Sequence, residues 1–467
     1  MTAPRRVALS LRLMAGVSRL VLLRPLFPLL APLLVLAGCS SAKPPAPRPV
    51  APRPASPVVT VVPSAEKNLP PVMLGIDVLE AEGFAPVKGK RIGLLTHPAG
   101  VNRRGDSTID VLRRAPGVQL VALYAVEHGL YGDLPAEMPF PDKIDLRTGL
   151  MVYSLYKGNL VKATPAQLKG IDVLVIDLQD IGTRSYTFSG AMKVAMEACF
   201  ENGKEVIVLD RPNPLGGLKV DGPMLDAQRM SDVGKFRVPY VHGLTIGELA
   251  LMVRDAQPPG GLAISDAARA RGKLTVIPMH GWTRSMRWPE TGLPFVATSG
   301  LVQDFAACEG YPMTGLGCIL GGFRHGVGDQ HPFRGLSHLT VKIDVLEKEL
   351  RALNIPGVQF RRISVRNAKT GQPGTGLYVE ITDYDAWQPA ALNFWLMKLA
   401  CKLEPRNPFA AATDTQRRTF LVHMGSTAFF NDLVAKGKNV DVATWLRTWR
   451  EQTKIYQEQS KRFWLYH

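Results

Sequence analysis

Between residues 91 and 255 the chain alternates short apolar runs with longer stretches of helical character, and few folds accept that alternation. Arg91-Ile-Gly-Leu-Leu-Thr96 reads as a buried strand, with a helix after it over 107–114 and the next strand over 120–126. Val173-Leu-Val-Ile-Asp177 is another strand, followed by a helix over about 190–202 and then by Glu205-Val-Ile-Val-Leu-Asp210. A helix over 245–255 closes the series, its cap Thr245 answered by Glu248 three residues on. Strands without polar alternation are buried on both faces, so helices must cover both. The pattern predicts a Rossmann-like α/β domain built on a parallel sheet.

Near Gln257-Pro-Pro-Gly-Gly261 the alternation stops. Strands are expected over 274–278, 339–345, 358–365 and 377–382, and helices over 389–403, 414–421, 426–436 and 442–461. Strands followed by a run of helices indicate a second, smaller α+β domain. The expected division is a Rossmann-like domain with a catalytic cleft over 72–256 and an α+β domain over 257–467.

The first 71 residues are of another kind. Arg5, Arg6, Arg12, Arg19 and Arg24 precede or interrupt an apolar run over 20–37 that contains Pro25, Pro28 and Pro32. It is too short and kinked for a stable membrane-spanning helix. It ends at Leu36-Ala37-Gly38-Cys39. Small residues before a cysteine suit signal-peptide cleavage, and the tetrapeptide resembles the lipobox of bacterial lipoproteins. Residues 1–38 are then a signal peptide and Cys39 carries the lipid. Residues 39–71, rich in Pro, Ala and Val and without periodicity, form an extended tether. Ser40 and Ser41 follow the cysteine, with no Asp. By resemblance to sorting rules in enteric bacteria this favours the outer membrane, and it implies a cell-envelope lipoprotein facing the periplasm, joined to the membrane through its lipid anchor.

The net charge of +16 invites a nucleic-acid reading. Yet residues 1–71 hold nine Lys or Arg against the single acid Glu66, so half the excess belongs to leader and tether. The rest is spread thinly, with no basic run, which argues against nucleic acid and suits anionic envelope material. After Cys39 the cysteines are Cys199, Cys308, Cys318 and Cys401, with no CxxC pair. Spacing allows a Cys308–Cys318 disulfide, but buried free thiols are the favoured state.

In open parallel sheets, ligands bind beyond the carboxyl ends of the strands, and here those ends are polar. The first ends at Thr96-His97 and the second at Glu127-His128-Gly129. A later one gives Asp177-Leu-Gln-Asp180, then Gly182-Thr-Arg184-Ser-Tyr186; the last gives Asp210-Arg211-Pro-Asn213-Pro. One acid after a strand is often only a helix cap, whereas four such clusters on one edge indicate a functional cleft. The chain has no GxSxG elbow, no HExxH and no GxxxxGK[ST] loop, and Gly315-Leu-Gly317 does not complete a dinucleotide fingerprint. Glu127, His128, Asp177, Asp210 and His242 match no known metal-site spacing, so no metal is expected. What remains is a carboxylate-rich cleft with arginines and aromatics, the inventory for glycosidic bond cleavage. One carboxylic acid protonates the leaving oxygen, while a second carboxylate, a water or the substrate itself meets the developing cation. Tyr131, Tyr186, Trp282 and Trp288 are candidates to stack on sugar faces, though each alone reads first as packing.

Five segments carry a resemblance: Leu94-Leu-Thr-His-Pro-Ala-Gly-Val101, Glu127-His-Gly-Leu-Tyr-Gly-Asp133, Asp177-Leu-Gln-Asp-Ile-Gly-Thr-Arg-Ser-Tyr186, Asp210-Arg-Pro-Asn-Pro-Leu-Gly-Gly217 and His242-Gly-Leu-Thr-Ile-Gly-Glu248. Together they resemble the exo-β-N-acetylmuramidase family, formerly a domain of unknown function, over roughly 73–467. The resemblance implies removal of N-acetylmuramic acid from the non-reducing end of peptidoglycan fragments, without a metal or organic cofactor. It maps the glutamate of the family's Glu-His-Gly motif onto Glu127 as the catalytic residue, with His128 helping to fix its environment. On this reading Asp177, Asp180 and Asp210 position the sugar or a water. Arg184 or Arg211 pairs with the lactyl carboxylate through its planar fork, and Tyr186, Asn213 and His242 complete the substrate site. The second half departs from the family pattern. Val296-Ala-Thr-Ser-Gly300 stands where members carry Ser-Pro-Asn. Leu320-Gly-Gly-Phe323 and Gly326-Val-Gly-Asp329 stand where they carry Glu-Gly-Thr-Asn and Gly-Arg-Gly-Thr stretches, ahead of Pro332-Phe333. Asp329, His325 or His331 are the candidates to compensate. A non-catalytic muropeptide-binding lipoprotein with the same cleft is the alternative reading.

Overall fold

The computed structural model describes residues 70–367 and 370–467; the signal peptide, Cys39 and nearly all of the tether lie outside them. Seven strands form the first sheet: β1 (Arg91–Thr96), β2 (Gln119–Ala125), β3 (Lys143–Ile144), β4 (Met151–Ser154), β5 (Val173–Asp177), β6 (Glu205–Leu209) and β7 (Leu274–Ile277). Their order is β3-β4-β2-β1-β5-β6-β7. All neighbours run parallel except β3, which pairs antiparallel with β4 at the edge. The central strands are apolar on both faces because both are covered: β5 is buried throughout, and β1 exposes only Arg91. The Rossmann-like parallel sheet expected from the alternation is present.

Four further strands, β8 (Phe323–His325), β9 (Gly335–His338), β10 (Val358–Arg366) and β11 (Pro373–Ile381), make a smaller antiparallel sheet in the order β10-β11-β9-β8. The helices Ala391–Leu403, Asp414–Met424, Thr427–Lys436 and Val442–Ser460 follow it, close to their expected bounds.

Three details differ from expectation. β7 follows the Pro-Gly break yet pairs in parallel with β6, so the first sheet extends past residue 257. The short strands β3 and β4 at the far edge were not anticipated, because two and four residues of mixed exposure carry little pattern. The stretch expected as a strand over 339–345 gives way to the helix Ile343–Arg351, with β9 ending at His338. There the alternation of Val341, Ile343 and Val345 loses to the helical spacing of buried Leu346 and Leu350 among strong helix formers.

The last residues of the chain return to the first sheet. The Tyr466 hydroxyl donates to Asp210 Oδ2 at 2.6 Å and accepts from the Met279 amide at 2.9 Å. The Leu465 amide donates to Glu248 Oε1 at 2.9 Å, and Glu248 also holds Arg284 at 2.7 Å. The described residues accordingly form one unit. Cys199, Cys308, Cys318 and Cys401 are free thiols. Among the described residues no helix is long and apolar enough to cross a membrane.

Candidate active site

In the observed strand order β1 and β5 are neighbours whose outgoing connections run to opposite sides, which marks the switch point of the sheet. Protein fills the space beyond it. Asp177, at the end of β5, accepts from Arg211 Nε at 2.5 Å and Nη2 at 2.9 Å, and also from the Thr108 hydroxyl. Arg211 Nη2 donates in addition to the Val101 carbonyl at 2.7 Å. His97 Nε2 accepts from the Gln179 amide at 2.8 Å, and burial pulls this imidazole well below its usual range, so it is neutral.

The neighbouring strand end is equally closed. Asp210 accepts from the Gly247 amide and the Thr245 hydroxyl, both at 2.8 Å, as well as from Tyr466. Burial still pushes it up to about 6. Asn213 bridges the Leu244 carbonyl and the Leu215 amide. Asp180 accepts from the Gly182 amide at 2.7 Å and lies 3.3 Å from His242 Nε2, whose ring accepts from the Leu244 amide through Nδ1. Arg184 donates to four carbonyls, those of Pro223, Val238, His423 and Met424, and burial pulls it down to about 10.

Buried charges persist where partners satisfy them, and here most partners are protein, with Asp180 Oδ1 and Arg184 Nε left without one among the described residues. Asp177, Asp180, Arg184, Asp210, Arg211, Asn213 and His242 were expected around the substrate. They do not line the large cavity beside them; they are the packed floor on which its loops rest.

That cavity, of 680 Å³, lies at the same carboxyl edge, displaced towards β2, β4 and the start of the helix Thr187–Glu201. Glu127 follows β2 and is 8% exposed. Its Oε1 accepts from the Glu137 amide at 2.9 Å and its Oε2 from the Thr187 hydroxyl at 2.8 Å. Thr187 opens the helix, so the carboxyl group sits at a helix N-terminus, a favourable place for an anion. Tyr156 lines the same cavity; burial, then the charges of Glu127 and Glu137, push its hydroxyl up to about 12. His128 holds a left-handed backbone, φ 72°, rare for a residue with a side chain and typical of functional sites. Its Nδ1 lies 3.0 Å from the Leu134 carbonyl, which can only accept. Nδ1 therefore carries the proton and Nε2 is left to the cavity.

Tyr186, Tyr311 and Phe333 form one aromatic wall, with ring centroids 5.9 Å and 4.8 Å apart along the series. His423 closes another side; burial, then the Arg184 charge, pulls it down to about 4, so it is neutral. Glu137 and Asp232 add two carboxylates to the wall. Asp232 is engaged by the Leu160 amide at 3.0 Å and by Lys235 at 2.8 Å.

Two protein-family models match this chain consecutively: the N-terminal part of the exo-β-N-acetylmuramidase NamZ over residues 92–306 and its C-terminal part over 310–466. The peptidoglycan β-N-acetylmuramidase NamZ of Bacillus subtilis (strain 168) is 39% identical over 342 residues, which cover 72% of this chain and 79% of that protein. The chain belongs to the NamZ family. Crystal structures of two DUF1343 family proteins from Bacteroides fragilis share its fold, at TM-scores of 0.74 and 0.62 and identities of 36% and 26%. Each match covers 85% of this chain and 99% of the other.

Of the residues expected from sequence, Glu127, His128 and Tyr186 stand on the cavity wall, beside Glu137, Tyr156, Thr187, Asp232, Tyr311, Phe333 and His423, which the sequence did not single out as site residues. Tyr156 lies two residues beyond β4 and was findable by the strand-end rule, had that strand been recognised. Tyr311 and His423 belong to helices of the second half and carried no local signal. The other proposed stacking residues serve elsewhere. Tyr131 is 40% exposed and bonds to Asp145, Trp282 packs edge-on against Tyr466, and Trp288 donates to the Leu293 carbonyl. His325 stacks on Phe333 at 4.1 Å, outside the main cavity, while Asp329 and His331 border a smaller one. Among the described residues no cluster of His, Cys, Asp or Glu offers three metal ligands.

Proposed function

We infer that this chain is an exo-acting β-N-acetylmuramidase, a glycoside hydrolase releasing N-acetylmuramic acid from the non-reducing end of peptidoglycan fragments. The observation that carries the reading is Glu127: a carboxyl group just past the end of a parallel strand, held by a backbone amide and the Thr187 hydroxyl, on the wall of a cavity large enough for a sugar. In its acid form it protonates the glycosidic oxygen of the departing sugar; as carboxylate it then takes a proton from the attacking water. Glu137 and Asp232 place negative charge around the oxocarbenium-like transition state, and His128 Nε2 is a second proton acceptor beside Glu127. Tyr186, Tyr311 and Phe333 offer the apolar face against which a pyranose ring packs. Asp177, Asp210 and Arg211 act one layer below, as positioning residues that hold the strand ends.

The purified protein is tested on a chromogenic β-glycoside of N-acetylmuramic acid and on its N-acetylglucosamine counterpart. Release from the first and not from the second is expected. Binding of the first without release would support the muropeptide-binding alternative instead.

The placement in the cell is part of the same proposal and rests on the sequence: cleavage before Cys39, lipid on Cys39, and residence at the outer membrane facing the periplasm. Cys39→Ala should leave the precursor uncut and unlabelled by fatty acid; normal labelling overturns it.

A further inference from the structure

N-acetylmuramic acid differs from N-acetylglucosamine by a lactyl ether, and the lactyl carboxylate is the only charge on the free sugar. The main cavity is a poor host for that charge: its wall holds Glu127, Glu137 and Asp232 and, among the described residues, no Lys or Arg. Arg184 and Arg211, the arginines expected to meet the lactyl group, spend their donors on backbone carbonyls and on Asp177.

A second cavity, of 290 Å³, adjoins the first and shares Gly300 and Leu301 with it. Its cation is Arg334, only 6% exposed. Arg334 Nε donates to the Val379 carbonyl at 2.7 Å and Nη1 to Glu309 at 2.9 Å; Nη2 donates to no acceptor among the described residues. Tyr378 lies beneath the guanidinium, its ring centroid 5.0 Å away. The acids on this wall are already engaged: Asp304 caps the helix Phe305–Thr314 through the Ala307 amide, and Asp329 has a partner of its own. His331 and Phe333 both hold left-handed backbone, φ 53° and 61°. Two such residues within three positions are strained, and the conformation they impose puts Phe333 on the wall of the main cavity and His331 and Arg334 on that of the side cavity.

We propose that Arg334 and the side cavity form the acidic-substituent subsite of this enzyme. The sugar ring sits against Phe333 in the main cavity, and its lactyl carboxylate reaches past Gly300 and Leu301 to the unpaired Nη2 of Arg334. The subsite is what separates muramic acid from glucosamine. This rests on the muramidase reading above.

The test is titration of the purified protein with free N-acetylmuramic acid, its lactyl amide and N-acetylglucosamine, alongside hydrolysis of the muramic acid glycoside. The variant removes the buried pair together, Arg334→Gln with Glu309→Gln, so that no charge is left alone in the interior; Arg334→Lys keeps the charge and loses the fork. The parent should prefer the acid to the amide. The double variant should lose about ten- to a hundredfold in affinity for the acid, as for one charge-assisted hydrogen bond, and little for the other two sugars. Arg334→Lys should fall between, and it carries the test if the double variant melts early. A parent that hydrolyses the glycoside while the variants lose acid and amide alike, or lose neither, overturns the subsite and leaves the muramidase standing. A parent that neither binds nor hydrolyses muramic acid sugars overturns both.

Discussion

Asp177 and Glu127 both follow parallel strands of one sheet, and both reach its carboxyl edge. Their surroundings differ completely. Over β5 and β6 lie the segment 245–247 and the returning Tyr466, which bring donors to Asp210, while Arg211 and Thr108 bring them to Asp177. Past β2 and β4 the loop around Leu134–Glu137, the turn at Ser299–Val302 and residues such as Tyr311 and His423 surround an open cavity. An acid at a strand end is thus a structural residue or a working one according to what a later part of the chain lays over it. In this enzyme the switch point of the sheet is sealed and the open cavity lies to one side of it.

The contrast breaks most visibly at Glu127. Glu127→Gln keeps the shape and cannot donate and recover a proton, so turnover of the muramic acid glycoside should fall about a hundred- to ten-thousandfold, with the denaturant midpoint nearly unchanged. A variant close to parental activity would remove Glu127 from the chemistry. Asp177→Asn should do the converse. It leaves the Arg211 guanidinium buried without its anion, costing about 3–5 kcal/mol in urea unfolding, while turnover per folded molecule stays near that of the parent. Loss of turnover without loss of stability would place Asp177 at the substrate after all.

His423 stands between the two regions, since its ring borders the cavity and its carbonyl holds Arg184. Its folded value of about 4 lies below the ordinary 6.5, so the unfolded chain takes up the proton first. Its contribution to stability is therefore present above pH 6.5 and is lost as pH falls towards 4. His423→Gln should remove about 1–3 kcal/mol of that acid-side loss, measured as the difference between parent and variant unfolding curves at pH 7 and pH 4. A difference independent of pH speaks against a neutral, buried ring. The smallest expected effect is that of Tyr156→Phe, which removes a hydroxyl from the cavity wall that Glu127 shares and should lower turnover about tenfold. Full activity would make Tyr156 part of the wall only.

The central sheet was legible because β1, β5 and β6 are apolar on both faces, a pattern few other elements produce. Glu127 was legible because a strand end and the Glu-His-Gly motif coincide there. Asp177, Asp210 and Arg211 reach the carboxyl edge as expected but stay off the cavity wall, and nothing local announces that Tyr466, 256 residues after Asp210, will supply one of its donors. The same reason hid Tyr311, Phe333 and His423, which become part of the site only through long-range packing. Arg334 was passed over because it follows Pro332-Phe333 in a stretch judged only by its departures from the family pattern. Its setting depends on left-handed backbone at His331 and Phe333, two residue types that give no hint of it.

The hydrogen bonds from Tyr466 and Leu465 to Asp210 and Glu248 also impose an order in time. A chain made from its amino end presents β6 and the helix Ile246–Asp255 long before residues 465 and 466 exist, and until then two interior acids each lack a donor. The first sheet can collapse early but cannot finish. Completion waits for residues 465 and 466, which come after every strand of both sheets.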